Sequence, residues 1–84
     1  MSERQQDAAY LDLVDQRTAF PFSDTDLAVH RAHEVCTSFE YGEVATIEEE
    51  VGRWVTGGAI KNRDQIEAMV QSAIEVYCPE FAQS

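Results

Sequence analysis

Two cysteines are the most reactive side chains of this 84-residue sequence, and they lie far apart in it, at Cys36 and Cys78. A pair of cysteines can form a disulfide, bind a metal as thiolates, or supply a nucleophile. A nucleophilic cysteine needs a base that a third group orients, and the sequence marks no such set. The pattern therefore argues against a catalytic thiol and leaves two alternatives, a disulfide and two reduced, buried cysteines.

A metal site is a second chemical possibility, because His30, His33 and Glu34 would lie within one turn of a helix. Zinc sites normally add a further converging ligand and show paired cysteine or histidine motifs, which this sequence lacks. We therefore predict no metal site and no cofactor. Both imidazoles should be partly exposed, with one of them packed against an aromatic ring.

Catalytic motifs of other kinds are also missing. The run Glu48-Glu49-Glu50 could supply paired carboxylates, but a chain of this length offers little cleft for them. In the first turn of a helix these residues would only stabilise the helix dipole, by about a few tenths of a kcal/mol each. Gly57-Gly58 lacks the following Lys-Ser/Thr pair of a phosphate-binding loop. We predict that the protein is not an enzyme, with a small metal-dependent hydrolase as an alternative.

Four amphipathic helices are predicted to position these residues. They should span about residues 3–17, 24–41, 46–56 and 62–78, and the Val/Ile/Thr-rich alternation of β-strands is absent from the sequence. The predicted fold is all-α, a small four-helix orthogonal bundle in a single domain of residues 1–84.

Polar residues and a glycine mark the predicted helix ends. Ser23 or Thr25 can cap the second helix, and Gly42 is a candidate left-handed terminator after it. Thr46 and Asn62 each precede a Glu or Gln by three residues, which is the capping-box pattern. These signals predict where the second, third and fourth helices begin.

Apolar residues at helical spacing predict the buried face of each helix. In the second helix these are Leu27, Ala28, Ala32, Val35, Cys36 and Phe39, and in the third they are Ile47, Val51, Trp54 and Val55. The fourth helix has the most regular pattern: Ile66, Met69, Val70, Ala73, Ile74 and Tyr77.

Four aromatic residues are candidates for contact with a partner. Phe20 and Phe22 flank Pro21 in an extended connector, Trp54 is the single tryptophan, and Phe81 follows the last proline. Exposed aromatic side chains dominate the binding energy of many interfaces. The alternative is that they are core, which we favour for Trp54 because the core of so short a chain is thin.

A domain of this size needs additional stabilisation. Small cores rarely supply more than about 3–5 kcal/mol without a disulfide, a metal or a partner chain.

No apolar run reaches the roughly 20 residues of a membrane span, so we predict no membrane insertion.

The charge of the chain restricts its partners. Sixteen acidic residues against six basic ones give a formal net charge of -10. Such a field repels nucleic acid phosphates, so we predict no nucleic acid binding and a protein partner of basic or mixed charge. The alternative is that the acidic surface only keeps the protein soluble.

Cys36 and Cys78 fall on the apolar faces of the second and fourth helices, so they could meet. A bridge would close a loop of about 43 residues and contribute roughly 4 kcal/mol in the chain-entropy model. Two reduced cysteines, acting as small hydrophobic residues, fit the same periodicity.

The spacing around the cysteines resembles an actinobacterial family, domain of unknown function 732, which is common in mycobacteria. Residues 7–11 are similar to its "D-x-x-F/Y-L" opening, and residues 20–22 to its aromatic connector. Residues 32–36 resemble a small residue followed by "V-C", and residues 73–79 the "A-I-x-x-Y-C-P" signature.

This resemblance implies small helical proteins with the two cysteines bridged, here Cys36 and Cys78. It also implies export or a cell-envelope location, since such proteins usually carry a signal. The present sequence shows no signal pattern. Related genes occur in bacteriophages of these hosts, which would place a phage-encoded protein in the host cytoplasm.

Two functional hypotheses remain besides the hydrolase. The first is a non-enzymatic protein-interaction module. The second is an acidic decoy that presents carboxylates where DNA phosphates would lie and so inhibits a basic host protein.

Overall fold

The computed structural model describes residues 2–58, 60 and 62–82. Four α-helices span these residues, and a short 3-10 turn follows them. The helices are α1 (Glu3–Thr18), α2 (Thr25–Glu40), α3 (Ile47–Gly57) and α4 (Arg63–Tyr77), and the 3-10 turn is Pro79–Phe81. Over the described ranges the chain forms no β-strand. The prediction of an all-α four-helix fold is confirmed.

The helix α4 forms the centre of the bundle, because it packs against α1, α2 and α3. Five of the six residues of its predicted stripe are buried: Ile66, Met69, Val70, Ala73 and Ile74. The sixth, Tyr77, is only partly buried, and Ser72 is buried although the pattern did not include it. Tyr10 and Val14 of α1, and Ala32, Val35 and Phe39 of α2, pack into the same core. The radius of gyration is 11.7 Å, close to the roughly 12 Å expected for a compact chain of this length.

The disulfide joins α2 to the end of α4. The Cys36 and Cys78 sulfur atoms are 2.05 Å apart and the two Cα atoms are 6.0 Å apart, so the pair is bonded. Both cysteines belong to the buried core. The bridge predicted from the family resemblance is confirmed, and the alternative of two reduced cysteines is wrong.

Helix caps follow the sequence signals with one exception. The Asp24 carboxylate, and not Ser23 or Thr25, accepts the backbone N–H of Leu27 and caps α2. Because the first residue of α2 is Thr25, the residue before it, Asp24, is the N-cap, and its carboxylate reaches the N–H three residues further on. Thr46 caps α3 by accepting the N–H of Glu49.

The helix α2 ends as predicted, with Gly42 just beyond it in the left-handed region at φ 72°. Such a conformation suits glycine because it has no Cβ. At the end of α1 the same region is taken by Ala19, at φ 50°, which turns the chain into the connector.

The core is smaller than the apolar stripes predicted. Leu27 is 48% exposed and Val55 is 41% exposed, although both were expected to be buried. Each lies near a helix end, where the small bundle does not cover the whole stripe. Within the described residues, no helix combines the length and the apolar character needed to cross a bilayer.

Candidate binding groove

Three of the four aromatic residues that the sequence singled out line one apolar groove. Phe20 and Phe22 come from the connector between α1 and α2, and Trp54 comes from α3. Leu27, whose exposure was unexpected, lines the groove beside them. The groove has a volume of about 250 Å³.

The connector takes its shape from Pro21. The Phe22 N–H donates to the Phe20 carbonyl oxygen at 3.0 Å, which closes a tight turn around the proline. The two phenyl rings therefore stay close, with centroids 5.0 Å apart and planes at 60°. Proline cannot continue a helix and limits the residue before it to extended conformations. The connector thus forms one wall of the groove.

Buried residues form the floor of the groove. Tyr10 of α1 and Met69 of α4 line it and are almost completely inaccessible to solvent. The first turns of α2 contribute Ala28 and Arg31, and the segment after α3 contributes Ile60. Because the floor belongs to the core, the shape of the groove depends on the packing of α1 and α4.

The Trp54 indole is oriented by a hydrogen bond to a buried carboxylate. Its Nε1–H donates to Glu50 Oε1 at 3.0 Å, and Glu50 is only 4% exposed. The expectation that Glu48-Glu49-Glu50 serves only the helix dipole is therefore wrong for Glu50. The spacing of four residues between Glu50 and Trp54 was the available signal, since such residues share a helix face.

A second, polar pocket of about 360 Å³ adjoins the groove. Arg31, Trp54 and Ile60 line both spaces. The residues that line the polar pocket but not the groove are Glu34, Ser38, Glu50, Arg53 and Gly57.

The Glu50 carboxylate is only partly satisfied in this pocket. Its buried Oε2 atom has no hydrogen-bond partner, and the nearest cation atom, Arg53 Nη1, is 3.8 Å away. The nearby Ser38 hydroxyl donates to the Glu34 carbonyl oxygen at 3.1 Å. Burial raises the pKa of Glu50, while the Trp54 indole N–H, the charge of Arg53 and the Ser38 hydroxyl oppose that rise.

Phe81 is separate from the groove. It packs against Phe39 of α2, with ring centroids 5.3 Å apart and planes at 23°, and it does not line the groove. The 3-10 turn after Pro79 brings it back onto the core. The four aromatic candidates therefore do not form a single site.

Neither histidine lines the groove or the polar pocket. His33 packs against the Tyr77 ring, with centroids 4.1 Å apart, as was expected for one imidazole. The Tyr77 hydroxyl donates to Asp7 Oδ1 at 2.6 Å, and burial together with Asp7 raises the pKa of Tyr77. The Nε2 atom of His30 lies 3.0 Å from Oε1 of Glu34.

Among the residues that the structure describes, no three His, Cys, Asp or Glu side chains are grouped so that they could hold a metal ion. The histidine contacts connect helices instead. Tyr77 at the end of α4 contacts α2 through His33 and α1 through Asp7.

These features define the class of protein as a small, disulfide-bonded, all-α domain with an apolar surface groove. A family model described as a protein of unknown function, DUF732, matches residues 6–80. The chain therefore belongs to this family, as the resemblance in its cysteine segments indicated. No curated protein and no solved structure matched the chain.

Replacing Glu50 by Gln is expected to stabilise the protein at neutral pH by roughly 1 kcal/mol, because a buried charge is removed while an amide oxygen still accepts from Trp54. The raised pKa of Glu50 means that the folded state binds the proton more tightly than the unfolded state. Wild-type stability from this group is complete below the unfolded pKa, about 4.3, and is lost as the pH rises through the folded pKa.

The increase in the free energy of unfolding caused by Glu50→Gln should therefore vanish near pH 4 and grow toward pH 7. Urea titrations at a series of pH values measure it. The exposed neighbour Glu48 provides a matched control, since Glu48→Gln changes the same charge on the same helix turn. An equal gain in both variants would show that burial of Glu50 is not the cause.

Proposed function

We propose that this protein is a non-enzymatic interaction module that binds an apolar side chain of a partner protein in the groove. The observation that carries this proposal is the convergence of Phe20, Phe22 and Trp54 on one surface groove with a half-exposed Leu27 beside them. Aromatic side chains in such a position commonly contribute most of the energy of an interface.

The size of the groove favours a side chain over a larger ligand. Sites for drug-sized molecules usually have volumes of about 300–1,000 Å³, whereas this groove has about 250 Å³. One aromatic or large aliphatic side chain fits such a space. Burying it would also cover Leu27, whose exposure in the free protein is unfavourable.

The charge of the protein favours a basic or mixed partner. Sixteen acidic residues against six basic ones give a long-range negative field. Such a field accelerates the encounter with a positively charged partner and disfavours an acidic one. Affinity would then come from the groove, and the rate of association from the surface charge.

Leu27→Ser is expected to weaken partner binding at least about tenfold, because it removes apolar area from the wall of the groove. The test begins with selection of binders from a displayed random-peptide library on the wild-type protein. The affinities of the recovered peptides are then measured through the fluorescence of Trp54, the single tryptophan, which lines the groove.

The matched control is Tyr41→Ser, since Tyr41 is 78% exposed and does not line the groove. It should leave the affinities unchanged. Recovery of no peptides, or of peptides that bind Leu27→Ser as tightly as wild type, would contradict the proposed function.

A second candidate function is an acidic decoy of DNA, which the net charge of -10 favours. A decoy would compete with duplex DNA for a basic protein, and its binding would weaken steeply with salt. Because carboxylates would provide the contacts, Leu27→Ser would leave its binding unchanged. The same variant therefore distinguishes the two functions.

A further inference from the structure

We propose that the partner segment that fills the groove also carries one basic side chain, which binds Glu50 in the adjoining polar pocket. The inference rests on the proposed function and specifies the chemistry of the partner. The partner segment would then contain an apolar side chain for the groove next to a Lys or Arg for the pocket.

The groove and the polar pocket share part of their lining. Arg31, Trp54 and Ile60 line both the apolar groove and the polar pocket. A segment whose apolar side chain rests against one side of Trp54 therefore places a neighbouring side chain at the pocket. A long Lys or Arg stem can cover the indole while its charged end reaches the carboxylate.

Glu50 provides the acceptor for that charge. The Trp54 indole N–H donates to Oε1 of Glu50, whereas Oε2 accepts no hydrogen bond. Glu50 is nevertheless almost fully buried. An unsatisfied buried carboxylate oxygen is costly, and a charge-assisted bond from a partner cation would remove that cost. A buried ionisable group in a pocket is also a frequent mark of a functional site.

Arg53 determines how the partner cation reaches this oxygen. Its side chain is half-exposed and also contacts Ser38 Oγ at 3.3 Å and Glu43 Oε1 at 3.7 Å. Rotation of Arg53 toward Glu43 would uncover Oε2, which is buried in the free protein, and would leave Arg53 with a partner of its own.

Charge complementarity favours a cation over an anion in spite of Arg31 and Arg53, which both line the pocket. Arg53 is already balanced by Glu43 and Glu50, and the formal charge of the whole chain is -10. An anionic side chain would meet the field of the protein and the Glu34 and Glu50 carboxylates.

Three small probes test this inference: phenylbutylamine, phenylbutanol and phenylpentanoate. All three carry the same ring for the groove, and they differ in a cationic, neutral or anionic end. Binding is followed by the NMR signal of the Trp54 indole N–H at low ionic strength. We expect the amine to bind at least about fivefold more tightly than the alcohol, and the carboxylate to bind most weakly.

Two variants identify the group responsible. Glu50→Gln keeps an acceptor for Trp54 and should reduce the affinity for the amine to that for the alcohol. Arg53→Ala uncovers Oε2 and should increase the affinity for the amine. Glu48→Gln is the control for the loss of one negative charge, and it should leave the preference intact.

The outcomes separate this inference from the proposed function. If none of the probes shifts the Trp54 signal, the groove does not bind apolar groups, and both proposals are overturned. Three other outcomes overturn the cation preference but leave the proposed binding function of the groove intact. They are equal binding of the three probes, tightest binding of the carboxylate, and a lower affinity of Arg53→Ala for the amine.

Discussion

Replacing both cysteines, as Cys36→Ala with Cys78→Ala, is expected to lower the free energy of unfolding by about 4 kcal/mol. The bridge connects α2 to the end of α4 across a sequence separation of 42 residues. Without it the unfolded chain gains the conformational freedom that the closed loop had removed. Because a core of this size rarely supplies more than about 3–5 kcal/mol by itself, the variant should unfold at a much lower urea concentration than the oxidised protein.

Urea titrations followed by circular dichroism would measure this loss, with the wild-type protein in reducing agent as the matched control. The reduced protein should approach the double variant. A double variant as stable as oxidised wild type would show that the bridge does not stabilise the bundle.

Val70→Ala is expected to destabilise the protein by about 2–3 kcal/mol. Val70 lies at the centre of α4 and is completely buried, so the substitution removes two carbon atoms from the helix that the other three helices pack against. The lost transfer energy is about 0.8 kcal/mol for each carbon, and the remaining cavity adds to it.

The same substitution at an exposed valine provides the comparison. Val55 is 41% exposed on α3, so Val55→Ala should change the free energy of unfolding by less than about 0.5 kcal/mol. Thermal unfolding of the two variants under identical conditions measures the difference. Equal losses would contradict the central position of α4.

Local features of the fold were predictable from the sequence because they depend on neighbouring residues. The apolar spacing of α4, the cap at Thr46 and the left-handed position at Gly42 each follow from interactions within a few residues. The disulfide was not derivable from periodicity alone. It required the resemblance of the segments around Cys36 and Cys78 to the family.

The groove depends on contacts between distant parts of the chain, so the sequence indicated its residues without showing how they combine. The aromatic character of Phe20, Phe22 and Trp54 was evident, but their convergence requires the turn after α1 and the position of α3 on α4. Leu27 fits a buried stripe equally well, and only the limited depth of the bundle leaves it exposed.

Glu50 illustrates the same limit for polar residues. Its place in an acidic run at the start of a helix has a sufficient local explanation, the helix dipole. Its burial results from the packing of α3 and from the Trp54 indole. Tertiary structure thus changes one of three similar glutamates into a site residue.

The central claim is that partner binding occurs at the groove around Trp54. The most direct measurement is a two-dimensional amide NMR titration of the isotope-labelled protein with a peptide selected on the wild-type protein. The largest shifts are expected at residues 20–24, at Leu27 and at the Trp54 indole N–H. Shifts confined to the acidic surfaces of the other helices, with the Trp54 signal unmoved, would contradict the claim.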